Sequence, residues 1–359
     1  EQLDSIATLS KGIGISKEQL SEDGEPCILY GELYTKYKSE IIKQVESKTD
    51  IDCSKLKRSK ANDVIIPCSG ETAVDIATAR CVPFDNILLG GDLNIISLHK
   101  YDGAFMSYQL NGKRKYDIAR VAQGVSVVHL YGEHLKAIKT YNPSLPEQQK
   151  IAKLLSLIDE RIATQNKIIE DLKKLKSAIR KKIFSLLKDE YTKSFEINQL
   201  LDYEQPTAYI VANDEYSTDT RLTPVLTANK GFILGYTDEK NGIYQKGACI
   251  IFDDFTMDAK YVSFPFKVKS SAIKILTAKP NVNLRFMFEY LSHWELKSEE
   301  HKRHYISEIS PLVIELPSKE KQNIIALLMT SLNNKLTIEE KAKIRYEVQK
   351  GYLLSQMFI

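Results

Sequence analysis

Several chemistries are excluded by what this 359-residue sequence lacks. No apolar run approaches the ~18 residues of a membrane span. The amino terminus has no basic stretch leading into an apolar core and a small-residue cleavage site, so a cytoplasmic location is expected. Cysteine is scarce: Cys27, Cys53, Cys68, Cys81 and Cys249 are odd in number, and none forms a C-x-x-C pair. Four lie in one half of the chain, which argues against a symmetric disulfide or zinc framework and for reduced, mostly buried thiols. With 16 glycines and 11 prolines against 43% hydrophobic residues, the composition is that of a folded chain. A net charge of +3 makes no case by itself for a nucleic-acid partner.

The motifs of the common catalytic sites are also missing. No G-x-x-x-x-G-K-[ST] loop is present, and Lys11-Gly12-Ile13-Gly14 lacks the third glycine and the preceding strand of a dinucleotide site. Asn142-Pro143-Ser144 lacks the second proline and the aromatic residue expected of a motif that methylates an exocyclic amine. His301 and His304 share a helical face but have no evident third ligand. Asp253, Asp254 and Asp258 could hold a hard cation, although a turn satisfying its own hydrogen bonds is the better reading. No nucleophile–base constellation stands out. The chain is expected to be no enzyme, with no catalytic, cofactor-binding or metal-binding residues of its own.

What the chain does contain is a repeat. Pro143-Ser144, Gln148, Ile151-Ala152, Leu154, Lys176 and Phe184 recur 174 residues later as Pro317-Ser318, Gln322, Ile325-Ala326, Leu328, Lys350 and Phe358. The register extends back to Tyr131 and Tyr305. A constant offset over more than forty residues divides the chain into two similar halves, each an irregular domain followed by a long helix.

The first helix should start near Pro146, with Glu147 suiting the helix dipole. Its seam advances by alternating four and three residues through Ile151, Leu155, Ile158, Ile162, Gln165, Ile169, Leu172, Lys176, Ile179, Ile183 and Leu186. In the second helix the same frame gives Ile325, Met329, Leu332, Leu336, Glu339, Lys343, Tyr346, Lys350, Leu353 and Met357. This is a coiled-coil pattern. Helices of about 40 residues would be ~60 Å long and need a long partner. The simplest partner for each is the other, laid antiparallel by an internal pseudo-two-fold. Gln165 and Lys176 could fix register or sit at solvated edges. Leu145–Lys188 carries eleven Lys/Arg against five Asp/Glu, a net +6.

The remaining segments read as β-rich. Cys27–Tyr34, Val64–Pro67, Asn86–Leu98 and Val125–Tyr131 are strand-like in the first, as are Ala208–Val211, Gly242–Phe252, Tyr261–Val268 and Ile273–Thr277 in the second. Asn283–Glu295 looks helical. The expected fold is α+β, with two β-rich domains (1–142 and 190–316) separated by two long antiparallel coiled-coil helices (143–189 and 317–359). Tyr30, Tyr34 and Tyr37 beside Lys36 and Lys38 make a basic-aromatic mixture suited to phosphate and base contacts.

This organisation resembles the specificity subunit of type I restriction-modification systems. The helix entry Pro143-Ser144-Leu145-Pro146-Glu147-Gln148-Gln149-Lys150-Ile151-Ala152 and the ending Lys350-Gly351-Tyr352-Leu353-Leu354-Ser355-Gln356-Met357-Phe358 are similar to that family's conserved regions. Gly90–Ile95 and Ala122–Leu130 in the first domain, with Pro224–Lys230, Phe232–Tyr236 and Phe252–Thr256 in the second, are similar to its target-recognition domains. The second helix entry departs by reading Lys321-Gln322 without the Glu-Gln pair.

The resemblance implies a non-catalytic subunit that reads a bipartite sequence in double-stranded DNA, with the helices ruling off an unread spacer. It implies docking of two methyltransferase subunits and of restriction/translocase subunits, which would supply S-adenosylmethionine and ATP chemistry. The residues expected to touch DNA are Lys11, Ser16, Lys17, Tyr34, Tyr37, Ser69, Lys113 and Arg114 in the first domain. In the second they are Thr227, Asn229, Lys230, Tyr236, Lys260, Lys269 and Arg303. Asn229 and Arg303 carry side chains able to pair bidentately with adenine and guanine. The alternatives are a coiled-coil scaffold joining two heads that bind something other than DNA, a subunit of a related system that cuts on both sides of its site, and a stand-alone methyltransferase or nuclease. The purified chain alone is expected to bind no S-adenosylmethionine in a calorimetric titration, and binding would revive the stand-alone methyltransferase.

Overall fold

The computed structural model describes residues 1–124, 126–187, 193–227, 231–294 and 304–358. The chain forms two compact units. One comprises residues 1–167 with 340–359, the other residues 168–339. Both long helices, Leu145–Leu187 and Lys319–Gln356, contribute to both units.

The heads have unrelated sequences but one topology. In the first unit an antiparallel sheet runs in the order Ala7–Lys11, Leu93–Leu98, Asp63–Pro67, Arg80–Val82. In the second the order is Leu201–Glu204, Ile273–Ala278, Cys249–Asp253, Ala259–Val262. The central strands match in burial: Asp63–Pro67 and Cys249–Asp253 are buried throughout, since both their faces are covered. Each head adds a second sheet containing one parallel pair, Glu25–Ile28 with Leu88–Leu89 in a five-stranded sheet of the first and Thr223–Leu226 with Lys267–Val268 in a three-stranded sheet of the second. Each also carries one helix against its main sheet, Gly103–Asn111 and Leu284–His293.

Both helices start on a side-chain cap. Asp102 accepts from the Phe105 N–H and Asn283 from the Phe286 N–H, satisfying donors that an uncapped helix leaves orphaned. The capping residue is held in turn by a glutamine of the repeat. Gln148 Oε1 accepts the Asp102 N–H at 2.9 Å while its Nε2 donates to the Pro143 carbonyl at 2.8 Å. Gln322 makes the same two bonds to Asn283 and Pro317, at 2.8 and 2.9 Å. Phenylalanines complete each junction: Phe105 packs on Phe358 at 5.2 Å and Phe286 on Phe184 at 5.7 Å. Within each unit, one long helix therefore supplies its beginning and the other its end.

The seam residues Leu155, Ile158, Ile169, Ile325 and Met329 are buried. Ile151, Ile162, Leu172, Ile179, Ile183, Leu332, Leu336, Leu353 and Met357 are half-buried, and Gln165 is buried. Leu186 departs from its assigned place: it is 46% exposed, and Phe184 and Leu187 are buried instead. A helix near 3.6 residues per turn drifts about 20° per heptad from a 3.5 repeat, so the frame is lost by its last turn.

Some strand expectations are corrected. Cys27–Tyr34 is a strand only in its first part, Glu25–Ile28, after which Glu32–Thr35 is helical and Glu32 Oε2 accepts the Leu29 N–H. Ala208–Val211 lies mostly outside strands, because Pro206 opens a 3-10 turn over Pro206–Tyr209 and only Ile210 bridges to Val268. Val128–His129 is the strand within 125–131, where Val125 lies outside the described residues.

The aspartate group reads as a turn. Asp253 Oδ1 accepts the N–H groups of Phe255 and Thr256, both at 2.9 Å. Asp254 accepts the Tyr305 N–H and pairs with the buried Lys274 at 3.3 Å. His301 lies outside the described residues, and no cluster able to hold a metal occurs among the described ones. All five cysteines are free; Cys53 is half-buried and the others are buried, where burial raises the Cys27 and Cys68 thiols to about 11.

Removing a junction should be costly. Phe184→Ala and Phe358→Ala are each expected to destabilise their unit by about 3–5 kcal/mol. Gln148→Ala and Gln322→Ala are expected to cost about 1–3 kcal/mol by leaving the N–H of the cap residue and the proline carbonyl without their partner. Urea titration followed by circular dichroism measures both.

Candidate nucleic-acid interface

The first head carries two adjoining grooves. One, of about 920 Å³, lies between the Gly14–Glu18 loop, the Leu29–Glu32 turn and Gly91-Asp92. The other, of about 630 Å³, continues past Tyr30, Gly31 and Thr35 to Tyr34, Ser69, Glu71 and Ser126. The first exists because two backbones touch. A Cβ on Gly12 would lie 2.0 Å from the Gly90 carbonyl oxygen, and the Gly12 and Ile13 N–H groups donate to Leu93 and Leu89. Only glycine permits that approach. It brings Ser16 and Lys17 to the same groove as Asp92.

The groups on these walls divide into committed and free. Lys36 bonds to Ser47 Oγ and pairs with Glu32, both at 2.7 Å. The Ser16 N–H donates to Gln19. Tyr34 donates to the Ser69 carbonyl at 2.9 Å, and burial followed by the Asp75 charge raises its hydroxyl well above the ordinary range. By contrast, the Lys17 ammonium, Tyr30 hydroxyl and Asp92 carboxylate have no hydrogen-bond or ion-pair partner among the described residues. A free donor, a free acceptor and a hydroxyl within one groove can match base edges, which present both polarities. A phosphate would call for donors only.

Lys11 joins this surface indirectly. Its ammonium sits 5.7 Å from the Tyr131 ring, which stacks on His129 at 6.1 Å. His129 Nδ1 lies 3.4 Å from Ser69 Oγ. Lys11, Ser69 and Tyr34 are thus linked through Tyr131 and His129. Gln123 and His129 exchange backbone hydrogen bonds of 2.9 and 2.7 Å, closing the turn that presents Ser126.

Tyr37 is corrected. It is 6% exposed, within the core of Ile28, Leu33 and Ile42, and burial raises its hydroxyl to about 12. It offers nothing to a ligand. Lys113 and Arg114 lie elsewhere, in the turn after Gly103–Asn111 where the adjacent Gly112 abuts Leu354, and Arg114 pairs with Asp117. Asp92 and Glu71, which line these grooves, were not among the residues expected to touch DNA, and Tyr30 was named only within the basic-aromatic mixture. The signal for Asp92 was Gly90-Gly91, a place where backbones close on each other.

In the second head Thr227 and Lys269 fall together at the ends of paired strands, since the Lys269 N–H donates to Leu226. Tyr236 lies on the neighbouring strand, whose backbone bonds to Ser217 in both directions. Lys260 lies apart, on the edge of the main sheet. Asn229, Lys230 and Arg303 lie outside the described residues.

The family model described as "Type I restriction modification DNA specificity domain" matches residues 2–174 and 189–348. The type I restriction enzyme EcoR124I/EcoR124II specificity subunit of Escherichia coli is 39% identical over 178 residues, covering 44% of this chain and 43% of that protein. The putative type I restriction enzyme MjaX specificity subunit of Methanocaldococcus jannaschii is 25% identical over 251 residues, 62% of this chain and 58% of the relative. The matches thus span about half the length of these relatives. In fold, the chain is similar to the crystal structure of a type I restriction-modification S subunit from M. genitalium. The TM-score is 0.69 at 17% identity, over 100% of this chain and 95% of that one.

Core and groove tyrosines should separate in stability measurements. Tyr37→Ala is expected to cost about 3–5 kcal/mol and Tyr30→Ala less than about 0.5 kcal/mol, compared by thermal melting.

Proposed function

We propose that this chain, which belongs to the type I restriction modification DNA specificity domain family, reads a bipartite sequence in double-stranded DNA for enzymatic partners and catalyses nothing itself. The observation that carries the reading is one topology bearing two different surfaces. The main sheets, capped helices and glutamine junctions of the two heads correspond, whereas the loops on them share no sequence. A fixed mount with a variable surface is what reading two unlike half-sites requires.

In the first head Lys17, Tyr30 and Asp92 would meet base edges in the major groove. Asp92 suits the exocyclic amine of cytosine and Lys17 the acceptors of guanine. Lys11 would lie on the flanking phosphates. In the second head Thr227, Tyr236 and Lys269 take the corresponding part.

The two long helices, paired antiparallel as a coiled coil, would set the unread spacer between the half-sites. Their 43 and 38 residues correspond to about 65 and 57 Å. Their outer faces support docking of two methyltransferase subunits, which would bring S-adenosylmethionine, with restriction/translocase subunits bringing ATP chemistry. Leu154 and Leu157 are 43% and 45% exposed in a shallow patch with Pro146 and Lys153. The repeat places Leu328, 43% exposed, at the position of Leu154, beside Ile324 and Leu327. Apolar side chains exposed at equivalent points of a repeat suit a partner that binds twice.

The test is methylation mapping of genomic DNA after co-expression with a methyltransferase subunit of the same system. A new two-part motif with a fixed gap is the expected result. Replacing residues 190–316 should then change one part and leave the other and the gap intact. A soluble complex that methylates no such motif would overturn the reading.

A further inference from the structure

The two junctions share their apolar and backbone contacts but differ in buried charge. Aligned through their caps, Asp102 with Asn283 and Phe105 with Phe286, the head helices place Glu289 where the first has Tyr108. The 174-residue repeat likewise places Asn333 where the first long helix has Asp159, and Arg180 where the second has Leu354. At the first junction the Tyr108 hydroxyl donates to Asp159 Oδ2 at 2.6 Å, while Lys350 joins Asp159 and Glu40 at 2.7 and 2.6 Å. At the second, Asn333 Nδ2 donates to Glu289 Oε1 at 3.3 Å, and Arg180 forks onto Glu289 Oε2 at 3.0 and 2.7 Å.

We propose that this pair of positions is a seating code. A hydrogen-bond donor on the head opposite Asp159 marks the first seat and a carboxylate on the head opposite Asn333 marks the second; connectivity places each head, and the code makes a head helix exchanged between the two seats mispaired. The contacts common to both junctions cannot discriminate, because Gln148 and Gln322, like Phe358 and Phe184, do the same work. The polar pair can. A carboxylate brought to the position of Tyr108 would face the Asp159 carboxylate at hydrogen-bond distance, with Leu354 where Arg180 would have neutralised it. Tyr108 and Glu289 are both fully buried, so neither mismatch is relieved by water. The lysines of the repeat register the same difference. Burial depresses both amines, but at Lys350 Glu40 and Asp159 outweigh it and hold the amine up, whereas at Lys176 burial prevails over Glu289.

The code concerns how heads are held and does not depend on what they bind. It is tested by a double-mutant cycle on the full chain. Tyr108→Glu is expected to lower the melting temperature by on the order of 5–10 °C, and Asp159→Asn in the same chain to restore at least half of that loss. Tyr108→Gln, which keeps a donor, should gain nothing from Asp159→Asn. If Tyr108→Glu alone yields no soluble protein, the readout is soluble yield, which Asp159→Asn should recover. Additive effects, or equal gain for the Glu and Gln variants, would overturn the proposal, since a purely steric role for Tyr108 predicts no charge-specific rescue.

Discussion

A helix of about 40 residues with one apolar stripe is not stable alone in water, and covering that stripe is the constraint on which the rest of this structure depends. The heads are mounted where it is covered. At each junction a buried phenylalanine fills the apolar gap while a glutamine closes the polar one, tying a helix cap in the head to a proline carbonyl at the entry of a long helix. The division of labour is physical. Apolar packing supplies most of the free energy but tolerates sliding, whereas the two-bond amide fixes where along the helix the head must sit. The mount is therefore specified by few side chains, which leaves the outer loops of each head free to vary without loss of stability.

That arrangement also explains what could be read from the sequence. The repeat was visible because junction residues are constrained by their partners in both halves. Pro143, Gln148 and Phe184 recur because each contact has a counterpart, whereas Lys176 does not repeat the ion pairs of Lys350 among the described residues. The common topology of the heads was not visible. A sheet core asks for buried apolar residues in alternation or in runs, and Leu93–Leu98 and Ile273–Ala278 meet that demand with different letters and the same burial pattern. Composition is conserved by physics there and identity is not.

The site was legible only in part, for a related reason. Lys11, Lys17 and Ser69 could be picked out as residue types able to meet DNA, but residue type says nothing of whether a group is already engaged. Tyr34 and Tyr37 read alike; one lines a groove with its hydroxyl spent on a carbonyl, and the other lies in the core. Lys36 belongs to a glutamate, whereas Lys17 is unengaged among the described residues. Long-range pairings decide this, and they arise only when the chain folds. The glycines were the better guide. Gly12 and Gly90 mark the approach of two backbones, and the groove opens beside that contact.

The buried charges complete the logic of a duplicated mount. Chain connectivity places each head at its own junction, but two identical junctions would accept a head helix exchanged from one to the other. Apolar residues are poor at preventing it, since a phenylalanine pocket accepts the same phenylalanine from either head. Buried ionic groups add little net stability when paired and cost several kcal/mol when mispaired, so their worth lies in what they forbid. Asp159 and Asn333 differ by one oxygen against one nitrogen at otherwise equivalent places. Because that difference is buried, it breaks the symmetry of the mount while the apolar frame that holds both heads stays the same.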